Sequence, residues 1–278
     1  MSKPKFAVFG NPISHSKSPF IHQQFAQQMG IEIEYLPILV KDDLRSALLD
    51  FRLQGGIGAN ITLPFKEEAF QISDLAHSPA LKANAANTVW WNQENALIVS
   101  NTDGIGFIRD LCKNNKFSIK NKTILIIGAG GATSGILPSI IDFEPKIVHI
   151  ANRTIAKAEN LVNFVKQSST SGCNIQELSL ESLSTSIESY HLIINATSAG
   201  LINKDSITLN PKIANQDTVA YDLIYGKNTF LTNWAKTNKI KYHDGLGMLV
   251  EQAAESFFLW HNFSPRTSEV INLLLNDN

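Results

Sequence analysis

The chain has 278 residues, 44% of them hydrophobic and 18% charged, which excludes an extended disordered chain and suggests about two globular domains. Lys and Arg (24) nearly cancel Asp and Glu (25), so the net charge of −1 excludes the basic excess of a nucleic-acid binder. Cys112 and Cys173 stand apart with no CxxC, which excludes a disulfide scaffold or a cysteine zinc site and suits a reducing cytoplasm.

The apolar run at 6–9 is too short for the core of an export signal. No stretch approaches the ~18 apolar residues of a membrane span. A soluble cytoplasmic protein is expected, with no membrane partner. No internal repeat shows, and low complexity is confined to a Ser/Thr patch at 168–172, read as a loop.

The first segment alternates strands and helices. Lys5–Gly10 reads as a strand, followed by a loop at 11–18. Ser18 is placed to N-cap a helix, with Pro19 at its first position and Gly30 ending it. A strand at 33–39, a helix at Leu44–Leu53 and a strand at 57–63 follow. Pro64 stops that strand and Lys66 opens a short helix. Thr88–Trp91 and 96–100 read as two strands joined by a polar turn. A helix is expected over 103–113.

The second segment opens on Thr123–Ile127, a continuous apolar strand of the kind covered on both faces. The glycine-rich stretch Gly128-Ala129-Gly130-Gly131-Ala132-Thr133-Ser134-Gly135 follows and leads into a helix at 135–141. Strands at 147–151, 192–195 and 218–222 and a helix at 155–167 complete an alternation that implies a parallel sheet with helices on both faces. Two helices close the chain, Leu246–His261 and 266–275. The domain boundary falls near 103–122, and on pattern alone the last two helices fit either domain.

Strand, glycine-rich turn and helix together form a cradle for a dinucleotide pyrophosphate. Glycines admit the backbone to the phosphates, and the helix N-terminus offers free N–H groups. The strict GxGxxG spacing fails, because Thr133 sits where the third glycine belongs, so a plain connecting turn remains an alternative. After the next strand, where an NAD site usually carries an acid, stand Asn152, Arg153, Thr154 and Lys157. Arg153 suits a 2′-phosphate, which favours NADP over NAD; a solvated basic turn is the plainer alternative.

Polar groups gather at strand ends in the first segment. Ser16 and Ser18, Asn60 and Thr62, Lys66, Asn87, and Asp103 lie in loops that could converge where ligands bind in open α/β sheets. Hydroxyls, amides and one Lys/Asp pair suit a small polyhydroxylated acid. Singly, Ser18 also reads as a cap, Asp103 as a first-turn acid and Lys66 as a solvated lysine. His15 reads better as a local hydrogen-bonding group than as a catalytic base. No metal cluster shows among the seven histidines.

Nine segments in order resemble the shikimate dehydrogenase family. They are GNPISHSKSPFIH at 10–22, GANITLPFKEEA at 58–69, AANTVW at 85–90, NTDGIGF at 101–107 and GAGGATSG at 128–135. ANRT at 151–154, INATSAG at 194–200, YDLIYG at 221–226 and DGLGMLVEQAA at 244–254 complete the set. The resemblance covers nearly the whole chain.

It implies two α/β domains: a substrate-binding domain at 1–103 and a Rossmann-like NADP-binding domain at 104–242. The helices of 243–278 would return to the first domain. The implied reaction is reversible NADPH-dependent reduction of 3-dehydroshikimate to shikimate, on the route to chorismate and the aromatic amino acids. Lys66 and Asp103 match the catalytic pair, and Ser16 and Ser18 the pair holding the substrate carboxylate. Asn60, Thr62, Asn87 and Gln252 match groups around the ring hydroxyls, and Tyr225 a tyrosine at the substrate's edge. Gly128, Ala129, Gly130, Gly131, Ala132, Asn152, Arg153, Thr154, Lys157, Thr197, Leu223 and Gly245 match positions around the cofactor.

Two departures stand out. Many family members carry a basic residue near Thr133 and Ser134, absent here, which moves the 2′-phosphate onto Arg153, Thr154 and Lys157. Leu223 stands where a methionine is common, a nearly volume-conserving change. A quinate/shikimate dehydrogenase using NAD is the nearest rival, opposed by the missing acid after the strand. A non-catalytic sensor is opposed by the presence of both Lys66 and Asp103. The sequence leaves a homodimer open.

Overall fold

The structure is a computed structural model that describes residues 3–168, 172–197 and 207–276. The chain forms two compact units, Met1–Phe107 with Leu249–Asn278, and Ile108–Met248.

The first unit is built on strands β1 (Lys5–Gly10), β2 (Glu34–Leu39), β3 (Gly56–Ile61), β4 (Leu75–Ala76), β5 (Thr88–Trp91) and β6 (Leu97–Ser100). They form one sheet in the order β2-β1-β3-β5-β6-β4. β5 runs antiparallel to β3 and β6; the other pairings are parallel. The carboxyl ends of β1, β3 and β6 and the start of β5 therefore share one edge of the sheet.

Helices α1 (Ser18–Met29), α2 (Leu44–Leu53), α3 (Lys66–Gln71) and α4 (Ser78–Ala83) connect these strands, and α5 (Asp103–Ile108) follows β6. Alternation along β1 sends Ala7 and Phe9 into a core with Leu44, Leu48 and Phe51 of α2. Phe6, from the opposite face, stacks on Trp260 at 4.8 Å between centroids. Each such leucine or phenylalanine side chain taken from water contributes about 1.5–3 kcal/mol.

Helix α1 begins one residue earlier than the caps predict. Lys17 holds the N-cap position with no side-chain cap, and Ser18 is the first helical residue. Its N–H is taken by Ser16 Oγ at 3.3 Å. Gly30 ends the helix at φ 75°, as expected. The helix expected over 103–113 is α-helical to Ile108 and then widens into a π-turn, Arg109–Asn114. The buried Asp110 explains the widening: it accepts from the Asn114 and Asn115 amides, and its carbonyl takes Asn115 N–H, five residues on, at 2.9 Å.

The second unit holds β7 (Thr123–Ile127), β8 (Ile147–Asn152), β9 (Asn174–Ser179), β10 (Tyr190–Asn195), β11 (Ala214–Asp222) and β12 (Lys241–His243). All pairings are parallel, in the order β12-β11-β10-β7-β8-β9. Counted from β7 this is the Rossmann order, reversing between β7 and β10. Every residue of β7 is buried, as a strand covered on both faces requires. Helices α6 (Gly131–Ile141), α7 (Ile155–Ser168) and α8 (Phe230–Thr237) connect the strands. α6 starts at Gly131 rather than 135, so much of the glycine-rich stretch is helix rather than turn. Residues 169–171 of the Ser/Thr patch expected as a loop lie outside the described residues.

Helix α9 (Leu246–His261) begins in the second unit and continues into the first, to which α10 (Thr267–Asn276) also belongs. The chain thus passes between units at 107/108 and 248/249, not at 103/104 and 242/243. Gly245 and Gly247 stay with the second unit because they pack on its Leu223 carbonyl and Asp110 carboxylate. Among the described residues, no helix is long and apolar enough to cross a membrane.

Candidate active site

In the first unit, the sheet edge described above collects the expected polar residues. Asn60 and Thr62 stand at the end of β3, Lys66 opens α3, Asn87 precedes β5, and Asp103 opens α5 after β6. Lys66 Nζ donates to Asp103 Oδ2 at 2.6 Å, with the side chains 15% and 7% exposed. The Lys66 carbonyl accepts from Ala86 N–H at 2.8 Å, tying the lysine's backbone to the segment that carries Asn87.

Asn87 is the hub. Its Oδ1 accepts from Thr102 N–H at 2.8 Å and from Thr88 Oγ1 at 2.9 Å. That fixes which end of the amide is nitrogen. Nδ2 then faces Asp103 Oδ1 at 2.9 Å, Thr102 Oγ1 at 2.9 Å and Gln252 Oε1 at 3.1 Å. Gln252, on α9, is thereby joined to residues far away in sequence. Asp103 has both oxygens occupied, one by an ammonium and one by an amide. This arrangement reduces the cost of keeping the charge out of water.

Asn60 is likewise held by its neighbours. Tyr35 donates its hydroxyl to Asn60 Oδ1 at 2.7 Å. Asn60 Nδ2 reaches Ser256 Oγ at 2.9 Å and the Asn87 carbonyl at 3.2 Å. Both ends of the amide are engaged inside the protein. Ser16, Ser18 and Thr62 lie at the same sheet edge but keep local bonds: Ser18 N–H to Ser16 Oγ, and Thr62 N–H to the Phe9 carbonyl at 2.8 Å.

Thr88 and Thr102, within the AANTVW and NTDGIGF segments, and Tyr35 and Ser256, outside every motif, complete the network. Ser256 follows Gln252 by four residues, hence on the same helix face, and that spacing was the available signal. Ser256 Oγ and Thr88 Oγ1 are 2.7 Å apart.

In the second unit, the turn after β7 lies where the strand order reverses. Gly128 adopts φ +112°, a region that favours glycine, and a side chain there would meet Thr197 Cγ2 at 3.0 Å. Thr133, in the third-glycine position, is buried and donates Oγ1 to the Gly128 carbonyl at 2.8 Å. The missing glycine is thus replaced by a side-chain bond that closes the same turn. Gly130 caps α6 with no side-chain partner, and no acid lies in the helix's first turn. A Cβ on Gly130 or Gly131 would meet no atom within 4 Å. Ala129 and Ala132 flank this open space in sequence. An uncapped helix end under such space fits the phosphates of a dinucleotide.

At the end of β8, Asn152 Nδ2 donates to the Thr154 carbonyl at 2.8 Å, and Arg153, Thr154 and Lys157 are exposed. Gly128 N–H bonds the Ala151 carbonyl at 2.8 Å, joining this basic corner to the glycine turn. Leu223 and Tyr225, just past β11, are partly buried, and Gly245 packs on the Leu223 carbonyl. Thr197 gives N–H and Oγ1 to Asn195 Oδ1. The rest of its motif, 198–200, lies outside the described residues.

A Rossmann-ordered unit with a glycine cradle, together with a second α/β unit carrying a largely buried Lys/Asp pair, defines a two-domain dinucleotide-dependent oxidoreductase. The shikimate dehydrogenase substrate binding domain family matches residues 8–89, shikimate / quinate 5-dehydrogenase matches 110–228, and the shikimate 5'-dehydrogenase C-terminal domain matches 245–275. The chain is 41% identical over 280 residues to shikimate dehydrogenase (NADP(+)) of Marinobacter nauticus, covering 100% of both chains. It is 46% identical over 274 residues to that of Vesicomyosocius okutanii, covering 97% of this chain and 98% of the relative. A crystal structure of shikimate 5-dehydrogenase from Thermus thermophilus in complex with NADP(H) and shikimate superposes with a TM-score of 0.83 at 29% identity, covering 97% of each chain. The chain belongs to the shikimate dehydrogenase family.

Proposed function

We propose that this protein catalyses the reversible NADPH-dependent reduction of 3-dehydroshikimate to shikimate, a step toward chorismate and the aromatic amino acids. The observation that carries the reading is the Lys66–Asp103 pair, held at 2.6 Å and oriented by Asn87 at the ligand-binding edge of its sheet. Ketone reduction needs a hydride on carbon and a proton on oxygen. NADPH, when bound, supplies the hydride. An ammonium has three donors. One of Lys66's is directed to Asp103, leaving the nitrogen able to stabilise the developing alkoxide and give it a proton. Asp103 keeps the ammonium oriented, and the proton returns to Lys66 from solvent.

Ser16 and Ser18 are assigned to the substrate carboxylate, and Thr62, Asn87 and Gln252 to ring hydroxyls, with Tyr225 at the substrate's edge. Asn60 is assigned to the ring hydroxyls as well, through the second lone pair of the oxygen that Tyr35 holds in place. Gly128 to Ala132 are assigned to the pyrophosphate, Arg153, Thr154 and Lys157 to the 2′-phosphate, Asn152 to the adenosine side, and Thr197, Leu223 and Gly245 to the nicotinamide side. Neither Cys112 nor Cys173 is in a disulfide, which suits the cytoplasmic location we assign.

The test mixes purified protein with NADPH and 3-dehydroshikimate and follows nicotinamide absorbance, with NADH and 3-dehydroquinate in parallel. Rapid loss of absorbance with NADPH and 3-dehydroshikimate alone is expected. Equal turnover with NADH and 3-dehydroquinate would assign the chain to the quinate/shikimate branch. Light scattering of the same sample reads whether it is a monomer or the homodimer left open by sequence.

A further inference from the structure

Asn195 ends β10 and Asp222 ends β11, and the parallel register sets them side by side. Both are completely buried. Asn195 Nδ2 donates to Asp222 Oδ1 at 3.1 Å and to Oδ2 at 3.0 Å. The amide is therefore fixed with its oxygen on the other side, where Oδ1 accepts Thr197 N–H at 3.0 Å and Thr197 Oγ1 at 2.7 Å. Asp222 Oδ1 also accepts Ile224 N–H at 2.9 Å, and Oδ2 accepts the Thr229 hydroxyl. Burial pushes the Asp222 carboxyl above its ordinary range, and the bonds from Thr229, Asn195 and Ile224 pull against it.

The pair reaches three loops at once. Thr197 is the side chain against which Gly128 turns, the Asp222–Ile224 bond brackets Leu223, and the Leu223 carbonyl is the surface on which Gly245 packs. A carboxylate kept dry with this many donors is costly to assemble, and a purely apolar contact would hold two strands together as well.

We propose that Asn195 and Asp222 are positioning residues that hold the Gly128, Thr197, Leu223 and Gly245 segments in the geometry that receives the nicotinamide cofactor. The inference rests on the NADPH reading above. Neither side chain touches the cofactor; each acts through backbone and through Thr197.

Exchanging the two residues provides the test. Asn195→Asp alone sets two carboxylates face to face, and Asp222→Asn alone sets two amides so that a donor meets a donor. In the double variant N195D/D222N the roles are swapped. The amide now at position 222 donates to the carboxylate now at position 195 and to Thr229 Oγ1, and it accepts Ile224 N–H. The carboxylate at position 195 accepts both Thr197 donors. The amide–carboxylate bond across the two strands is restored with the roles exchanged. Affinity for NADPH is read by fluorescence titration, KM for NADP+ and shikimate by steady-state kinetics, and folding by circular dichroism, all at low temperature.

Each folded single variant is expected to weaken NADPH binding by about tenfold or more, with KM for shikimate within about twofold of the unvaried protein. The double variant is expected to recover NADPH affinity to within about threefold. Folded single variants that bind NADPH normally would overturn the proposal, as would an equal rise in both KM values. Where a single variant does not fold, the double variant decides: normal binding supports the pair, and weak binding or failure to fold overturns it. Because the main readout is binding, an unvaried protein that binds NADPH but leaves 3-dehydroshikimate untouched refutes the substrate assignment and not the pair.

Discussion

Lys66 Nζ and Asp103 Oδ2 lie 2.6 Å apart, and the second oxygen of the same carboxylate is held by Asn87. The ammonium is thus aimed by a carboxylate that cannot itself rotate. Lys66→Ala removes the proton donor while leaving Asp103 its bond from Asn87. Turnover is expected to fall about 10²–10⁴-fold, the usual range for losing a general acid. NADPH affinity, measured by fluorescence titration, is expected to stay within about twofold, because the cradle lies in the other unit. Near-normal turnover would remove Lys66 from the chemistry.

Asp103→Asn tests orientation rather than proton supply. The new amide can offer Lys66 an oxygen or offer Asn87 one, but not both. One face of the network is left with two donors opposed. We expect kcat to drop about 10²-fold or more with KM for NADP+ unchanged, read from initial rates at saturating shikimate. A variant that lost only cofactor affinity would contradict the assignment.

Much of this architecture is legible in the sequence, and the exceptions have physical causes. The apolar run at Thr123–Ile127 followed by glycines announces the cradle because a doubly covered strand needs continuous apolar side chains. The start of α6 is hidden because Gly131 and Gly135 are poor helix formers, and only the surrounding sheet sets the helix start at Gly131. β4 and β12 have two and three residues, too few for any periodicity to register. Lys66, Asn87 and Asp103 announce themselves as polar residues at strand ends. Tyr35 and Ser256 do not, since what defines them is a shared partner, Asn60, lying 25 and 196 residues away along the chain. Such pairings belong to register and helix docking, which no local pattern encodes.

Arg153 stands exposed at the end of β8, with no basic residue in the glycine-rich stretch to share a 2′-phosphate. A charge-assisted bond contributes about 1.5–3 kcal/mol. Arg153→Ala is therefore expected to lower the ratio of kcat/KM for NADPH over NADH by about 10–100-fold, chiefly through NADPH. Parallel initial-rate series with the two cofactors measure it. An unchanged ratio would shift the phosphate onto Thr154 and Lys157.

Tyr35→Phe deletes one buried oxygen and keeps the ring that stacks on His22 at 4.4 Å between centroids. Asn60 Oδ1 then loses its donor, which costs about 1–3 kcal/mol for a buried acceptor. The midpoint of thermal unfolding is expected to fall. KM for shikimate is also expected to rise several-fold, since Asn60 bonds the backbone of Asn87. A lower midpoint with unaltered KM would make Tyr35 a purely structural group.

His22 is completely buried among Phe25, Tyr35, Phe257 and Trp260. Burial holds its pKa down, to about 3. Burial also lowers His149, His191, His243 and His261. In the unfolded chain these imidazoles take protons near pH 6.5, whereas the folded chain resists. The stability from neutral His22 is complete above pH 6.5 and is lost as pH falls toward about 3. At pH 4 the His22 contribution amounts to roughly 3 kcal/mol lost. Urea midpoints are expected to be level from about pH 8 to 7 and to fall steadily below about 6.5. His22→Phe removes the titrating group while keeping an aromatic ring against Tyr35. Its midpoint is expected to fall less steeply between about pH 6 and 4 than that of the unvaried protein. Parallel slopes for the two proteins would show that His22 takes no part in the acid sensitivity.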